Sequence, residues 1–464
     1  MRNKMMRLKY LTTLASVLAL AACTVGPNYA PPATPASAAG PFVAANGPAI
    51  QPLAPIEGNW WRLYDDPVLD ALVADALAHN TDVRVAVARL ARARAALREV
   101  KVDRLPEVDV GASATRGRDE GDSKVDNSFD VGLDVAYDVD LFGRVRRNVE
   151  AARGDVNAAQ YDADAVRVAI VAETARAYAD AASAAERLAV ATQIVALLDQ
   201  SLKLTARRVE VGMTTRLDTA RIAALMHQRQ AEIPAIAAER DSALFRLAML
   251  TGRAPADLPP SAGARNIALR LNHPIPVGDG AQLLARRPDV RAAERRLAAA
   301  TARIGVATAD LYPRITLGGS VGSTAGSIGN LFNPINFVLG PLISWAFTDR
   351  ARARARIAGA EAGTQEALAS FDGTVLRSLQ ETETALSAYS HALERREALK
   401  SARDEAAVAA RITRAQQREG QVDSLALLDA ERTYAEQEAE LTDMDGRVVA
   451  SQIDLFRALG GGWG

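Results

Sequence analysis

The sequence predicts a mainly α-helical chain with membrane β-strands, folded as two copies of one unit: a helix, a β-hairpin and a long coiled-coil helical hairpin. Three observations carry that reading. Segments recur at an offset of about 207 residues. A two-residue periodicity follows a proline in each copy. Two stretches, Arg144–Glu210 and residues 350–419, run without proline.

The repeat comes first, because it defines the unit that must fold. Asn80-Thr81-Asp82-Val83-Arg84 matches Arg287-Pro288-Asp289-Val290-Arg291 at an offset of 207, and each opens an Ala/Arg-rich helix. Each helix closes on a proline, Leu105-Pro106 and Tyr312-Pro313, again 207 apart. Gly212 and Gly420 lie 208 apart, and Leu244-Phe245-Arg246 recurs as Leu455-Phe456-Arg457. Alanine-rich helices imitate repetition, but they do not hold register across a proline and a glycine. Residues 56–252 therefore form the first repeat, 253–286 a connector and 287–464 the second repeat.

Pro106 and Pro313 mark helix-to-strand transitions. After Pro106, Val108, Val110, Ala112 and Ala114 alternate with Glu107, Asp109, Gly111 and Ser113. A polar loop at 117–127 follows. Then Phe129, Val131, Leu133, Val135 and Tyr137 alternate with Asp130, Gly132, Asp134, Ala136 and Asp138. After Pro313, Ile315, Leu317, Gly319 and Val321 alternate with Arg314, Thr316, Gly318 and Ser320, and Phe337, Leu339, Ile343, Trp345 and Phe347 share a face of the fourth run. The expected hairpins are 107–138 and 314–347. Runs of ten to twelve residues with this dyad pattern suit transmembrane strands, apolar toward lipid and polar toward a lumen. A soluble hairpin needs another sheet to cover its apolar face, and the chain offers none. Asp130, Asp134 and Asp138 on one face are tolerable beside water. Pro341 removes a ladder donor inside the fourth run, so a bulge or kink is expected there.

The proline-free stretches span about 100 Å each as helices, at about 1.5 Å per residue. Leu188, Val195 and Leu202 are spaced by seven with Leu198 between, as are Leu379, Leu386 and Leu393 with Tyr389 between. Such spacing packs helix on helix as a coiled coil. Each long helix ends in a glycine turn, at Gly212 or Gly420, and returns in a shorter helix to about Leu250 or Leu459. These are αα-hairpins with tips at the two glycines.

The N-terminus is a targeting segment. Arg2, Lys4, Arg7 and Lys9 precede the apolar run 11–22, which is too short to span a hydrocarbon core of about 30 Å. Residues 1–22 are read as a signal peptide. Leu20-Ala21-Ala22-Cys23 resembles a bacterial lipobox, and Cys23 is the only cysteine of the 464 residues. Cys23 is the expected lipid attachment point, bearing a diacylglycerol and an N-acyl chain. The following residue is Thr24 rather than Asp, which favours the outer membrane. Residues 23–55 hold eight prolines from Pro27 to Pro55 and read as a lipidated, extended tether.

Four strands cannot close a barrel, and an open sheet in lipid leaves backbone groups unpaired at several kcal/mol each. Copies of the chain must associate; two give eight strands and three give twelve. A conducting pore disfavours eight, which side chains nearly fill.

The lipobox, Trp60-Trp61 with Leu63-Tyr64-Asp65-Asp66-Pro67, the duplicated helices, Leu141-Phe142-Gly143-Arg144 and Leu427-Leu428-Asp429-Ala430 together resemble the TolC/OprM-type outer-membrane factors. The resemblance is to the lipoprotein, NodT-like branch of resistance–nodulation–division (RND) efflux systems. It covers nearly all of the mature chain. It implies a homotrimer with a twelve-stranded β-barrel and a long α-helical barrel. It also implies docking of the hairpin tips to a periplasmic membrane-fusion adaptor, and through it to an inner-membrane RND pump. The periplasmic gate falls on the stretch from Gly420 to Asp429. Leu425 and Asp429 are four apart and stack on one helix face, giving an apolar and an acidic ring. Where some relatives carry a second acid the chain has Ala426, and Asp423, nearer the tip, stands in.

Other chemistry is not indicated. A net charge of −1 gives no basic field for nucleic acid. His79, His227, His273 and His391 lack partners at metal spacing. The glycine-rich run 318–322 lacks the lysine of a phosphate loop. Nothing resembles a nucleophile with its base, so no enzyme is expected. The expected function is a passive exit duct of a tripartite efflux pump. The alternatives are the duct of a type I protein secretion system, which the lipobox disfavours, and a lipid-anchored periplasmic coiled-coil scaffold without a pore.

Overall fold

The computed structural model describes residues 24–461 except 34, 46–48, 53–57, 118–124, 272, 334 and 346; Cys23 lies outside the described residues. The elements in order are α1 Ala36–Ala39, β1 Ile50–Pro52, α2 Pro67–His79, α3 Thr81–Val102, β2 Glu107–Gly117, β3 Asp126–Asp138, α4 Arg144–Glu210 and α5 Arg216–Leu250. There follow β4 Ile275–Gly278, α6 Gly280–Arg286, α7 Pro288–Ala309, β5 Arg314–Ala325, β6 Asn336–Ser344, α8 Arg350–Arg418 and α9 Ser424–Ala458.

The duplication is explicit in these bounds. Helices α3 and α7 are both 22 residues and begin 207 positions apart, while α5 and α9 are both 35 residues and begin 208 apart. The long helices α4 and α8 run 67 and 69 residues. Pro106 and Pro313 directly precede the first residues of β2 and β5, after the same pair of tightened turns at Arg104/Leu105 and Leu311/Tyr312. Proline enforces the change by disfavouring the α conformation of the residue before it.

The chain divides into two units. The first comprises residues up to 33, 88–161 and 292–374. It holds a four-stranded antiparallel sheet in the order β2-β3-β5-β6, in which β3 joins β5 across the two copies. Register places Val110, Leu133, Val321 and Phe337 in one row of the apolar face, and Asp109, Asp134, Ser320 and Val338 in one row of the other. Gly132 pairs with Gly322, where an added Cβ on Gly322 would lie 2.9 Å from the Val131 carbonyl oxygen, so the strands close only around a glycine.

Three expectations for the sheet are corrected. Pro341 pairs with Leu317 in unbroken register and makes no bulge. It sits on β6, the edge strand of the sheet within one chain, where a residue without an amide donor is tolerated. Strand β6 ends at Ser344, and Phe347 lies in a 3-10 turn, Phe347–Asp349. Trp345 follows the strand, and its indole donates to the Leu311 carbonyl at 3.2 Å. The polar face is not polar throughout, because β6 contributes Val338 and Leu342 to it.

The second unit comprises 34–87, 162–291 and 375–464. Its core gathers Trp60, Tyr64, Leu69, Tyr178, Leu247, Leu283, Leu386 and Phe456. Trp60 stacks on Phe456 at 4.7 Å and meets Trp61 edge-on. Asp66 caps α2 by accepting from Val68 and Leu69 amides, and also accepts from the Tyr178 hydroxyl at 2.9 Å and Arg265 at 2.8 Å. That buried carboxylate explains the Asp-Pro at the helix start. Helix α4 is apolar enough over one window to cross a membrane by composition, yet its Ile170, Val171 and Tyr178 belong to this core.

The expected coiled-coil spacing holds in part: Leu198 is buried in a cluster with Ile194 of α4, Leu225 of α5 and Ala435 of α9, and Leu386 and Tyr389 of α8 are buried, whereas Leu188, Val195 and Leu202 are half-buried. The tether is corrected too. Phe42 and Ile50 are buried, and β1 pairs in parallel with β4 of the connector. Glu383 of α8 accepts the backbone amides of Val43 and Ala44 at 2.7 and 2.8 Å. Prolines keep this segment out of long helices but do not keep it off the body.

Candidate functional site

The two hairpin tips are built alike. Gly212 and Gly420 have φ of 72° and 74°, a left-handed conformation that costs an L-residue about 1–2 kcal/mol. At each, the glycine amide donates three residues back and the next amide five back: Gly212 to Val209, Met213 to Arg208, Gly420 to Gln417, Gln421 to Gln416. This pattern closes the orphan carbonyls of a helix end.

The returns differ. Thr215 opens α5 with a capping box, its hydroxyl and amide both engaged by Asp218. Hydrogen bonds from Thr214 and Thr215 hold the Asp218 carboxyl below its usual range. Asp423 opens α9 by accepting the Ala426 amide at 2.8 Å. Leu425 is half exposed at 51%, as is Leu217 on the first hairpin at 57%. Asp429 accepts from Arg432 at 3.0 Å, and both side chains are largely exposed. The structure thus brings Leu425 and Asp429 onto one turn-spaced face and gives Asp423 a capping role.

Sequence reasoning missed the links behind the tips. Arg414 of α8 pairs with Glu431 of α9 through two hydrogen bonds, one of them 2.9 Å, with Glu431 only 4% exposed. That carboxylate pushes the Arg414 guanidinium up. The midpoint of 414 and 431 falls in the turn between α8 and α9, so hairpin symmetry about Gly420 was the available signal. Arg208 donates to the Gln417 carbonyl at 2.7 Å, joining the ends of α4 and α8, and Arg229 reaches Glu436 at 3.3 Å. Asp109 opposite Asp134 was also missed, because cross-strand register is not visible in one strand. Among the described residues no cluster of His, Cys, Asp and Glu could hold a metal ion.

Comparison with known proteins agrees with this architecture. The family model described as outer membrane efflux protein matches residues 72–253 and again 280–461, once per repeat. The chain is 33% identical over 471 aligned positions to outer membrane protein OprJ of Pseudomonas aeruginosa, covering 97% of this chain and 95% of OprJ. It is 30% identical to nodulation protein T of Rhizobium leguminosarum bv. trifolii, covering 97% and 96%. The solved outer-membrane channel OprN matches with a TM-score of 0.90 at 37% identity, covering 95% of this chain and all of that one. A fold duplicated in this way, matched along both repeats, places the chain in the outer membrane efflux protein family.

Proposed function

We propose that the chain forms the exit duct of a tripartite efflux pump, a homotrimer whose sheets close one barrel. The carrying observation is the sheet β2-β3-β5-β6, with apolar and polar faces and two free edges. Free edges in lipid leave backbone groups unpaired, so the sheet is complete only when β6 of one copy meets β2 of the next. Three copies give twelve strands, wide enough for a lumen. The carboxylates Asp109, Asp130, Asp134 and Asp138 then face water, and the row of Val110, Leu133, Val321 and Phe337 faces lipid.

In this reading the protein sits in the outer membrane with its helical hairpins in the periplasm. Cys23 carries the acyl chains, the tips at Gly212 and Gly420 meet a membrane-fusion adaptor, and an RND pump supplies the cargo. Leu425 and Asp429 form the gate rings, with Asp423 holding the start of α9.

Reconstitution of the purified protein into planar bilayers tests the duct. Discrete conductance steps are expected, larger when the tips are loosened by substitution. Absence of conductance under every condition overturns the duct and leaves the scaffold.

A further inference from the structure

No charged residue falls between Arg314 and Asp349, and then four arginines alternate with alanine: Arg350, Arg352, Arg354 and Arg356. The start of α8 sorts them by face, because residues four apart lie together on a helix. Arg352 and Arg356 are held within the chain. Arg352 donates to Asp349 at 3.1 Å and Arg356 to Asp310 at 2.9 Å. Arg350 and Arg354 make the other pair, and both are exposed. The Arg350 guanidinium stands 5.8 Å from the centre of the Trp345 ring, within cation–π reach. Among the described residues neither Arg350 nor Arg354 has a carboxylate partner.

Trp345 follows β6 in step with Leu339 and Ile343 of the apolar face. It is 48% exposed, and Phe347 beyond it is 63% exposed. The apolar face thus ends in exposed aromatic rings, and charge begins directly after them. An apolar band, then aromatic rings, then cations is the order met on leaving a hydrocarbon core for the headgroups. The first copy lacks this arrangement. By the offset between Arg144 and Arg350, which open α4 and α8, Trp345 corresponds to Val139 and Arg354 to Asn148. Arg144 itself is taken by Asp138 at 3.0 Å.

We infer that Trp345, Arg350 and Arg354 form a binding site for the phosphate headgroup of an anionic phospholipid in the periplasmic leaflet. Two guanidiniums one turn apart can donate to the oxygens of one phosphate, the geometry for which arginine is suited. The indole N–H is already given to the Leu311 carbonyl, so the ring serves as an apolar wall at the level of the glycerol. The competing occupant is an acid of the next copy. In a closed barrel the strand beside β6 is β2, whose first residue, Glu107, shares the polar face with Asp109. Its carboxylate is therefore turned away from the face that Trp345 continues. The site rests on the reading of the sheet as membrane-spanning, proposed above.

Native mass measurement of the protein purified from membranes, offered equal amounts of phosphatidylglycerol and phosphatidylcholine in detergent, tests it. Wild type is expected to retain phosphatidylglycerol preferentially. Arg350→Gln and Arg354→Gln are each expected to weaken that retention about fivefold, the scale of one basic residue at an anionic membrane surface, and the double variant by more. Arg98→Gln, which removes the same charge from an exposed position of α3, is expected to behave as wild type. Equal retention of the two lipids by wild type, or of phosphatidylglycerol by wild type and the double variant, overturns the site. Displacement of the lipid by inorganic phosphate at constant ionic strength assigns the arginines to a free anion and overturns the lipid. Loss of the assembled oligomer in the double variant overturns it as well, since the arginines then join copies. Conductance of the same preparation in planar bilayers reports the membrane-spanning sheet separately, so conducting channels whose lipid retention ignores both arginines overturn the lipid site alone.

Discussion

Asp429 sits one helical turn beyond Leu425, in the position where the first hairpin carries Arg221 beyond Leu217. In one protomer its partner is Arg432 at 3.0 Å, an exposed pair of the kind worth about 0–1 kcal/mol. In a three-fold ring, carboxylates about 6 Å apart repel by roughly 0.7 kcal/mol per pair in water and by more at lower effective dielectric. Asp429→Ala is therefore expected to raise leakage through the closed duct and weaken cation preference. Arg432→Gln separates the ring from the local pair: removing the counter-charge strengthens cation preference if Asp429 lines the path. Unchanged ion preference in both variants, read by reversal potentials, removes Asp429 from the gate.

At the scale of the element, the hairpins are held at both ends. Their bases use side chains that precede α3 and α7. Asn80 donates to the Leu250 carbonyl at 3.0 Å, and Arg287 to the Ala458 carbonyl at 2.9 Å. Each thus caps the last residue of the returning helix in its own copy, with different chemistry at matching positions. The tips depend on the two left-handed glycines. Gly420→Val and Gly212→Val are each expected to cost about 1–2 kcal/mol at the tip, seen as faster amide exchange at residues 416–423 or 208–215. The thermal midpoint of the assembly should move little, because the core of Trp60, Tyr178 and Phe456 is untouched. Adaptor binding should fall with either substitution. Full binding by both variants means the tips do not dock the adaptor.

For the whole molecule, the open edges β2 and β6 demand association, and native mass measurement in detergent is expected to give three copies. A dimer would mean an eight-stranded barrel nearly filled by side chains, which overturns the duct. How much of this was legible beforehand differs by feature. The repeat, the long helices and the glycine tips were legible because each rests on local chemistry: periodicity, a missing donor, a positive φ. Arg144–Glu210 was bounded to the residue, since a proline-free amphipathic run has few other solutions. The ends of β6, the burial of Ile194 in place of Val195, and the fate of Pro341 were not, because they depend on which neighbour lies opposite.

The sequence by itself determined the duplicated plan, the two hairpins with their tips and the dyad strands, since these follow from residue spacing along one chain. Only the tertiary structure decided what the spacing cannot encode. It paired β3 with β5 and set Asp109 against Asp134. It seated Arg414 on Glu431 behind the tip. It also laid the proline-rich segment along the body. The physical reason is the same in each case: proline and glycine forbid or permit conformations locally, but a contact between distant residues is settled by packing and register, where the partner is supplied by the fold.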